Sequence, residues 1–145
     1  MTDSRGEIEN LMARYCRTYD DGDLPGYAEL FRRGTISGMS TPEEIVAFHR
    51  EGIYLYDGKP QTRHVITNVA IDVDEDAGTA TGSSYVTVYQ ATPDLPLQPI
   101  LLGSYIDSFQ RIDGTWYFAS RRFEEHLWGD TSHHSRPGLQ LPDHR

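Results

Sequence analysis

Cysteine is nearly absent from this chain of 145 residues. Cys16 stands alone, which rules out an internal disulfide and a thiolate metal cluster and makes a reducing compartment the simplest reading. Long apolar runs are missing too. No stretch approaches the roughly 20 residues that span a bilayer, and Met1 to Gly6 is polar, so a soluble, cytoplasmic protein is expected. Positive charge is scarce: 13 Lys and Arg against 22 Asp and Glu leave a net charge of -9, which repels nucleic-acid backbones and acidic membranes. The chain contains no Gly-rich phosphate loop, Walker pattern or Gly-x-Ser-x-Gly elbow, and no cofactor is expected. His133 beside His134 has no third ligand nearby in the sequence, so no metal is expected either.

The chain is of ordinary globular composition, 37% hydrophobic and 24% charged, and its length suits one domain over 1–145 but not a cofactor domain beside a substrate domain. Nine tyrosines against five phenylalanines bring hydroxyls into apolar surroundings, a hint of a wet-walled pocket for a small molecule. Ile8, Leu11, Met12, Tyr15, Cys16 and Tyr19 repeat with helical spacing, and Gly22 suits the left-handed cap that ends this first helix. A second helix is expected over Leu24 to Phe31. A third should run from Pro42 to about Tyr54, opened by the capping box at Thr41 and Glu44. Beyond it the period falls to two, predicting antiparallel strands over Gln61–Val73, Thr79–Ala91, Ile100–Ile112 and Thr115–His126. Between the second and third of these, Thr92 to Pro99 reads as a long Pro-rich connection, and from about Gly129 an irregular tail is expected. Helices segregated from strands define an α+β fold.

Asp20 has two readings: an inward carboxylate one turn after Cys16, or a residue that merely ends the helix beside Gly22. In Thr62-Arg63-His64-Val65-Ile66-Thr67-Asn68, alternation puts His64, Ile66 and Asn68 on one face and Val65, Val69, Ile71 and Val73 on the other, which predicts a strand covered on both sides. If Asp20 and His64 meet, the carboxylate sets the imidazole tautomer and the other nitrogen becomes a base able to take a carbon-bound proton. Tyr15 and Tyr19 share the helix with Asp20 and are placed either to donate to an enolate oxygen or to pack in the core. Of Arg121 and Arg122, one points inward, toward an anionic group or toward Asp107 or Glu124. His49, His126, His133, His134 and His144 carry no comparable setting.

Tyr19-Asp20-Asp21-Gly22-Asp23-Leu24, Arg63-His64-Val65-Ile66-Thr67-Asn68, Asp113-Gly114-Thr115-Trp116 and Ser120-Arg121-Arg122-Phe123, in this order, resemble the SnoaL-like branch of the nuclear-transport-factor-2-like superfamily. The resemblance implies a cone-shaped curved antiparallel sheet wrapped around a pocket and capped by three helices, assembled as a homodimer or homotrimer. It also implies a catalytic pair at Asp20 and His64, as in the scytalone dehydratase, bile acid 7-alpha-dehydratase and hexachlorocyclohexane dehydrochlorinase families, with Tyr15, at the position of a tyrosine in the bile acid family, as electrophile, and Tyr19 at the position of the tyrosine directly before the Asp in the scytalone dehydratase family. Arg121 falls where the hexachlorocyclohexane dehydrochlorinase family has a pocket arginine, but Tyr15 stands where that family has a lysine. Tyr19, Tyr85 and Tyr89 are the further residues expected to bind substrate. The activity implied is that of a cofactor-free, dehydratase-like lyase on a small, mostly apolar carbonyl or polycyclic metabolite. An isomerase or cyclase using the same pair, or a binding domain without turnover, stands beside it.

Overall fold

The computed structural model describes residues 3–139. Helix α1, Ser4–Asp20, opens on the Asp3 carboxylate, which accepts from the Arg5 amide, and buries the stripe Ile8, Leu11, Met12, Tyr15, Cys16, Tyr19 and Asp20. It ends where the chain turns left-handed at Gly22, φ 75°; a Cβ there would sit 1.9 Å from the Gly58 carbonyl oxygen, so no other residue fits. Helix α2, Leu24–Glu29, is capped by Asp23, and the two-residue strand β1, Thr35–Ile36, follows it. Helix α3, Pro42–Gly52, starts with a capping box shifted by one residue. The Thr41 hydroxyl accepts from the Glu44 amide, while the Glu44 carboxylate reaches back to the Ser40 amide.

The sheet is built from β2, Thr62–Asp74, β3, Thr79–Thr92, β4, Leu95–Ile112, and β5, Thr115–Trp128, joined antiparallel, with β1 parallel to β5 on the far edge. Its order is β1-β5-β4-β3-β2. The sheet is curled, and its inner face meets the helices over a core that includes Phe31 stacked on Phe118, Ile45, Ile100 and Phe109. This is the α+β class expected from the segregation of helices and strands, in the curled form that the resemblance implies.

Two local expectations need correction. The stretch Thr92 to Pro99 is not a long connection: Thr92 pairs with Leu95 across Pro93-Asp94, and β4 runs on through Pro96 and Pro99. Prolines are accommodated because this segment pairs only with β3, with a register shift beside Pro99, so few ladder donors are needed. Strand β2, in turn, is not covered on both sides. A bulge at Asn68, φ 53°, resets the alternation, so that Thr62, His64 and Ile66 share the inner face with Val69, Ile71 and Val73, while Val65 faces out.

The tail beyond β5 contains no long element yet is held by the backbone. The Gly129 amide donates to Ile100, the Tyr54 amide to the His134 carbonyl and the Arg136 amide to Gly52, and Ile53 bridges to Ser135. It lies as a strap across the open end of the cone. His144 and Pro142 fall outside the described residues.

Candidate active site

Asp20 occupies the last turn of α1, where the helix dipole disfavours a carboxylate. Three donors compensate. The Thr62 hydroxyl gives Oδ1 a bond of 2.8 Å, the His64 amide gives Oδ2 one of 2.9 Å, and His64 Nδ1 lies 2.7 Å from Oδ1. With both side chains buried, a carboxylate as acceptor makes Nδ1 the protonated nitrogen and leaves Nε2 with a free lone pair. The inward reading of Asp20 is therefore the right one, and helix end and edge strand together build the pair.

His64 lines a cavity of about 350 Å³ enclosed by the helices, the inner face of the sheet and the tail. Its apolar wall includes Met39, Phe48, Val88, Leu101 and Phe123. Its polar points are tyrosines and histidines together with Ser37, Glu125, Thr131, Ser135 and Arg136. The Tyr19 ring packs edge-on against His64 at 4.7 Å, and its hydroxyl lies 3.2 Å from Nε2 of His134. The Tyr15 hydroxyl is 3.3 Å from that of Tyr27, which is 3.4 Å from Nε2 of His49, whose Nδ1 faces the Ile45 carbonyl at 2.9 Å. Burial raises the pKa of Tyr15, Tyr19 and Tyr27, so these hydroxyls stay protonated as donors. Burial also brings His49 and His134 down from 6.5 to about 4, leaving both neutral near pH 7. The Cys16 thiol is pushed up to about 12 by burial and is no nucleophile.

A second, more open hollow of about 530 Å³ lies between α1 and β2 on the other side of the pair, lined by Met12, Ala13, Cys16 and Ile66 among others. No tyrosine lines it.

The other expected site residues part ways. Tyr85 and Tyr89 do not line the cavity: alternation along β3 sends Ser84, Val86, Val88 and Gln90 inward, so the two tyrosines project from the outer face, and Tyr85 is 54% exposed. Arg121 does point inward but stops beneath the cavity wall. Its Nε and Nη2 hold both oxygens of Asp107 at 2.7 and 2.8 Å, and its guanidinium lies 3.8 Å from the Tyr105 ring centre and 4.4 Å from that of Tyr15. It braces Tyr15 from behind. Arg122 pairs outside with Glu124.

Sequence reasoning missed Tyr27, His49 and His134. Tyr27 and His49 each sit on the buried face of a short helix, a pattern that reads as core. His134 lies in a segment with no periodicity at all, and no local signal marks it. Among the described residues no cluster of His, Cys, Asp and Glu is able to hold a metal ion, and no helix is long and apolar enough to cross a membrane.

A curled sheet closed by helices defines the fold: α+β, of the kind described for other proteins as cystatin-like or nuclear-transport-factor-2-like. The SnoaL-like domain model matches residues 1–122, and the chain belongs to that family. Among solved structures it is similar to Rv3472 from Mycobacterium tuberculosis, 27% identical over 83% of this chain and 70% of that one, with a TM-score of 0.67. It is similar in fold to ActVI-ORFA from Streptomyces coelicolor, 23% identical over 86% and 96% with a TM-score of 0.66. A candidate scytalone dehydratase from Novosphingobium aromaticivorans shares 22% over 85% and 84%, with a TM-score of 0.65. No curated protein matches the chain.

Proposed function

We propose that this protein is a cofactor-free lyase of the dehydratase kind, acting on a small, mostly apolar carbonyl or polycyclic metabolite. The observation that carries the reading is the 2.7 Å contact between Asp20 and His64 at the wall of a buried, tyrosine-lined cavity. His64 Nε2 takes the proton from the carbon next to the substrate carbonyl. The bonding pair moves onto the carbonyl oxygen, where a protonated hydroxyl of Tyr15 or Tyr19 receives the developing charge. Asp20 stabilises the imidazolium that results. The enolate then re-forms its carbonyl as the carbon–oxygen bond at the β position breaks, and the leaving hydroxide takes the Nε2 proton and departs as water. His64 returns to neutral, and no electrons are gained or lost. An isomerase or cyclase would share the first step and return the proton to another atom.

Assembly as a homodimer or homotrimer, expected from the resemblance, is supported by apolar side chains left uncovered on the outer sheet face, among them Val65, Tyr85 and Ile106. Sedimentation equilibrium checks it.

A panel of aromatic β-hydroxy ketones, followed by the absorbance of the conjugated enone, tests the reaction. Wild type should turn over at least one member, His64→Gln should lose about 100-fold or more in kcat, and Asp20→Asn should fall in the same direction. Binding of panel members with no water loss and no rearranged product would sink the catalytic reading and leave a ligand-binding domain.

A further inference from the structure

His49 and His134 differ in what meets the ring nitrogen that faces away from the tyrosines. His49 Nδ1 lies 2.9 Å from the Ile45 carbonyl, an acceptor, so its one proton sits on Nδ1 and Nε2 turns a lone pair toward the Tyr27 hydroxyl. His134 has no such neighbour, for its Nδ1 is buried and has no hydrogen-bond partner. Burial keeps both rings neutral near pH 7, and each has a single N–H to place. At His134 the unpartnered position holds either that N–H or a lone pair. A buried N–H without an acceptor forfeits a strong hydrogen bond, and an unpaired acceptor is the smaller loss. The proton therefore belongs on Nε2, 3.2 Å from the Tyr19 oxygen, which accepts it.

This direction decides where the Tyr19 proton goes. A phenol that donates to His134 has nothing left to give, whereas one that accepts from it keeps its own O–H for another acceptor. Burial also holds that hydroxyl protonated. Among the described residues it has no other hydrogen-bond partner, and the Tyr19 ring stands between His64 at 4.7 Å and His134 at 6.1 Å, all three lining one cavity. The strap holds His134 in place through its backbone. Its carbonyl accepts from the Tyr54 amide at 2.8 Å, its amide donates to the Thr131 carbonyl at 3.0 Å, and the His133 carbonyl accepts from the Tyr56 hydroxyl at 2.6 Å and the Gln90 side-chain amide at 3.1 Å.

We propose that His134 is a positioning residue: by donating from Nε2 to the Tyr19 oxygen it frees the Tyr19 proton for the carbonyl oxygen of the substrate. His49, with the opposite tautomer, does not do this for Tyr27. The contact to substrate rests on the lyase reading of the cavity; the tautomer of His134 does not.

Nitrogen-15 correlation spectra of the imidazoles at pH 7, assigned with His134→Gln and His49→Gln, read the tautomers without any turnover. Wild type should show the Nε2–H form at His134 and the Nδ1–H form at His49, and an Nδ1–H form at His134 overturns the proposal. Infrared difference spectra of bound 1-tetralone, labelled with carbon-13 at its carbonyl, read the contact, and this ketone has no β-hydroxyl to lose. Its carbonyl band should shift to lower frequency in wild type. The shift should vanish in Tyr19→Phe and in His134→Leu and return in His134→Gln, whose amide nitrogen stands near the place of Nε2. A merely structural His134 would leave the band alike in every variant that folds. A shift that survives in Tyr19→Phe or His134→Leu, or no shifted band in wild type, overturns the proposal. The ketone panel separates this from the lyase reading: no water loss with the tautomer and the shift intact sinks the lyase and spares His134, and water loss with Nδ1–H at His134 does the opposite.

Discussion

His49 and His134 are imidazoles folded away in their neutral form, and that makes them liabilities in acid. Burial holds each at about 4 in the folded chain, against 6.5 when exposed. Between those values the unfolded chain binds protons that the folded one refuses, so stability is complete above about pH 6.5 and is lost as pH falls toward 4. Each site contributes on the order of 3 kcal/mol to that loss, and the two are not additive because both also feel His64. Urea unfolding at a series of pH values should show a plateau above neutrality and a steep decline below it. His134→Gln should flatten the decline; the same slope in that variant would mean that other groups carry it. On the proposed reading, catalysis and acid sensitivity belong to different histidines in one cavity, His64 beside its carboxylate and the other two beside tyrosines.

At the level of elements, β2 does more than supply His64. Its bulge at Asn68 turns the strand's second half so that Val69, Ile71 and Val73 join the core below His64. A strand of uniform period would have put either those three or His64 on the wrong side. The left-handed φ of Asn68 makes a specific prediction: Asn68→Gly should be tolerated, Asn68→Ala should cost about 1 kcal/mol, and deletion of Asn68 should prevent the strand from pairing and burying its side chains together. Thermal denaturation of the three variants decides this, and equal stability of the Gly and Ala forms would count against it. The alternation rule located His64 correctly because His64 precedes the bulge. Beyond it the same rule failed, since an extra residue changes parity without altering the hydrophobic composition that sequence reading relies on.

For the molecule as a whole, the strap formed by residues 129–139 completes the cavity that helices and sheet leave open. Thr131, His134, Ser135, Arg136 and Leu139 all face the space that His64 lines, and Tyr19 finds its partner there. Truncation after Gly129 should therefore leave far-UV circular dichroism close to that of wild type, because the core elements end at Trp128, while weakening binding of the aromatic β-hydroxy ketones by about tenfold or more. Unaltered affinity would assign the strap a role outside the site. The amino-acid pattern by itself determined what is local: the buried stripe of α1, its stop at Gly22, the switch from helical to strand period, and Asp20 and His64 as candidates on the ends of two such elements. Only the tertiary structure decided which candidates share a cavity. It brought in His134, 115 residues from Tyr19, turned Tyr85 and Tyr89 outward, and set Arg121 against Asp107 beneath the wall. Periodicity reports which face of an element is buried, but what that face meets depends on sheet curvature, bulges and chain closure, which arise from contacts between segments far apart in sequence.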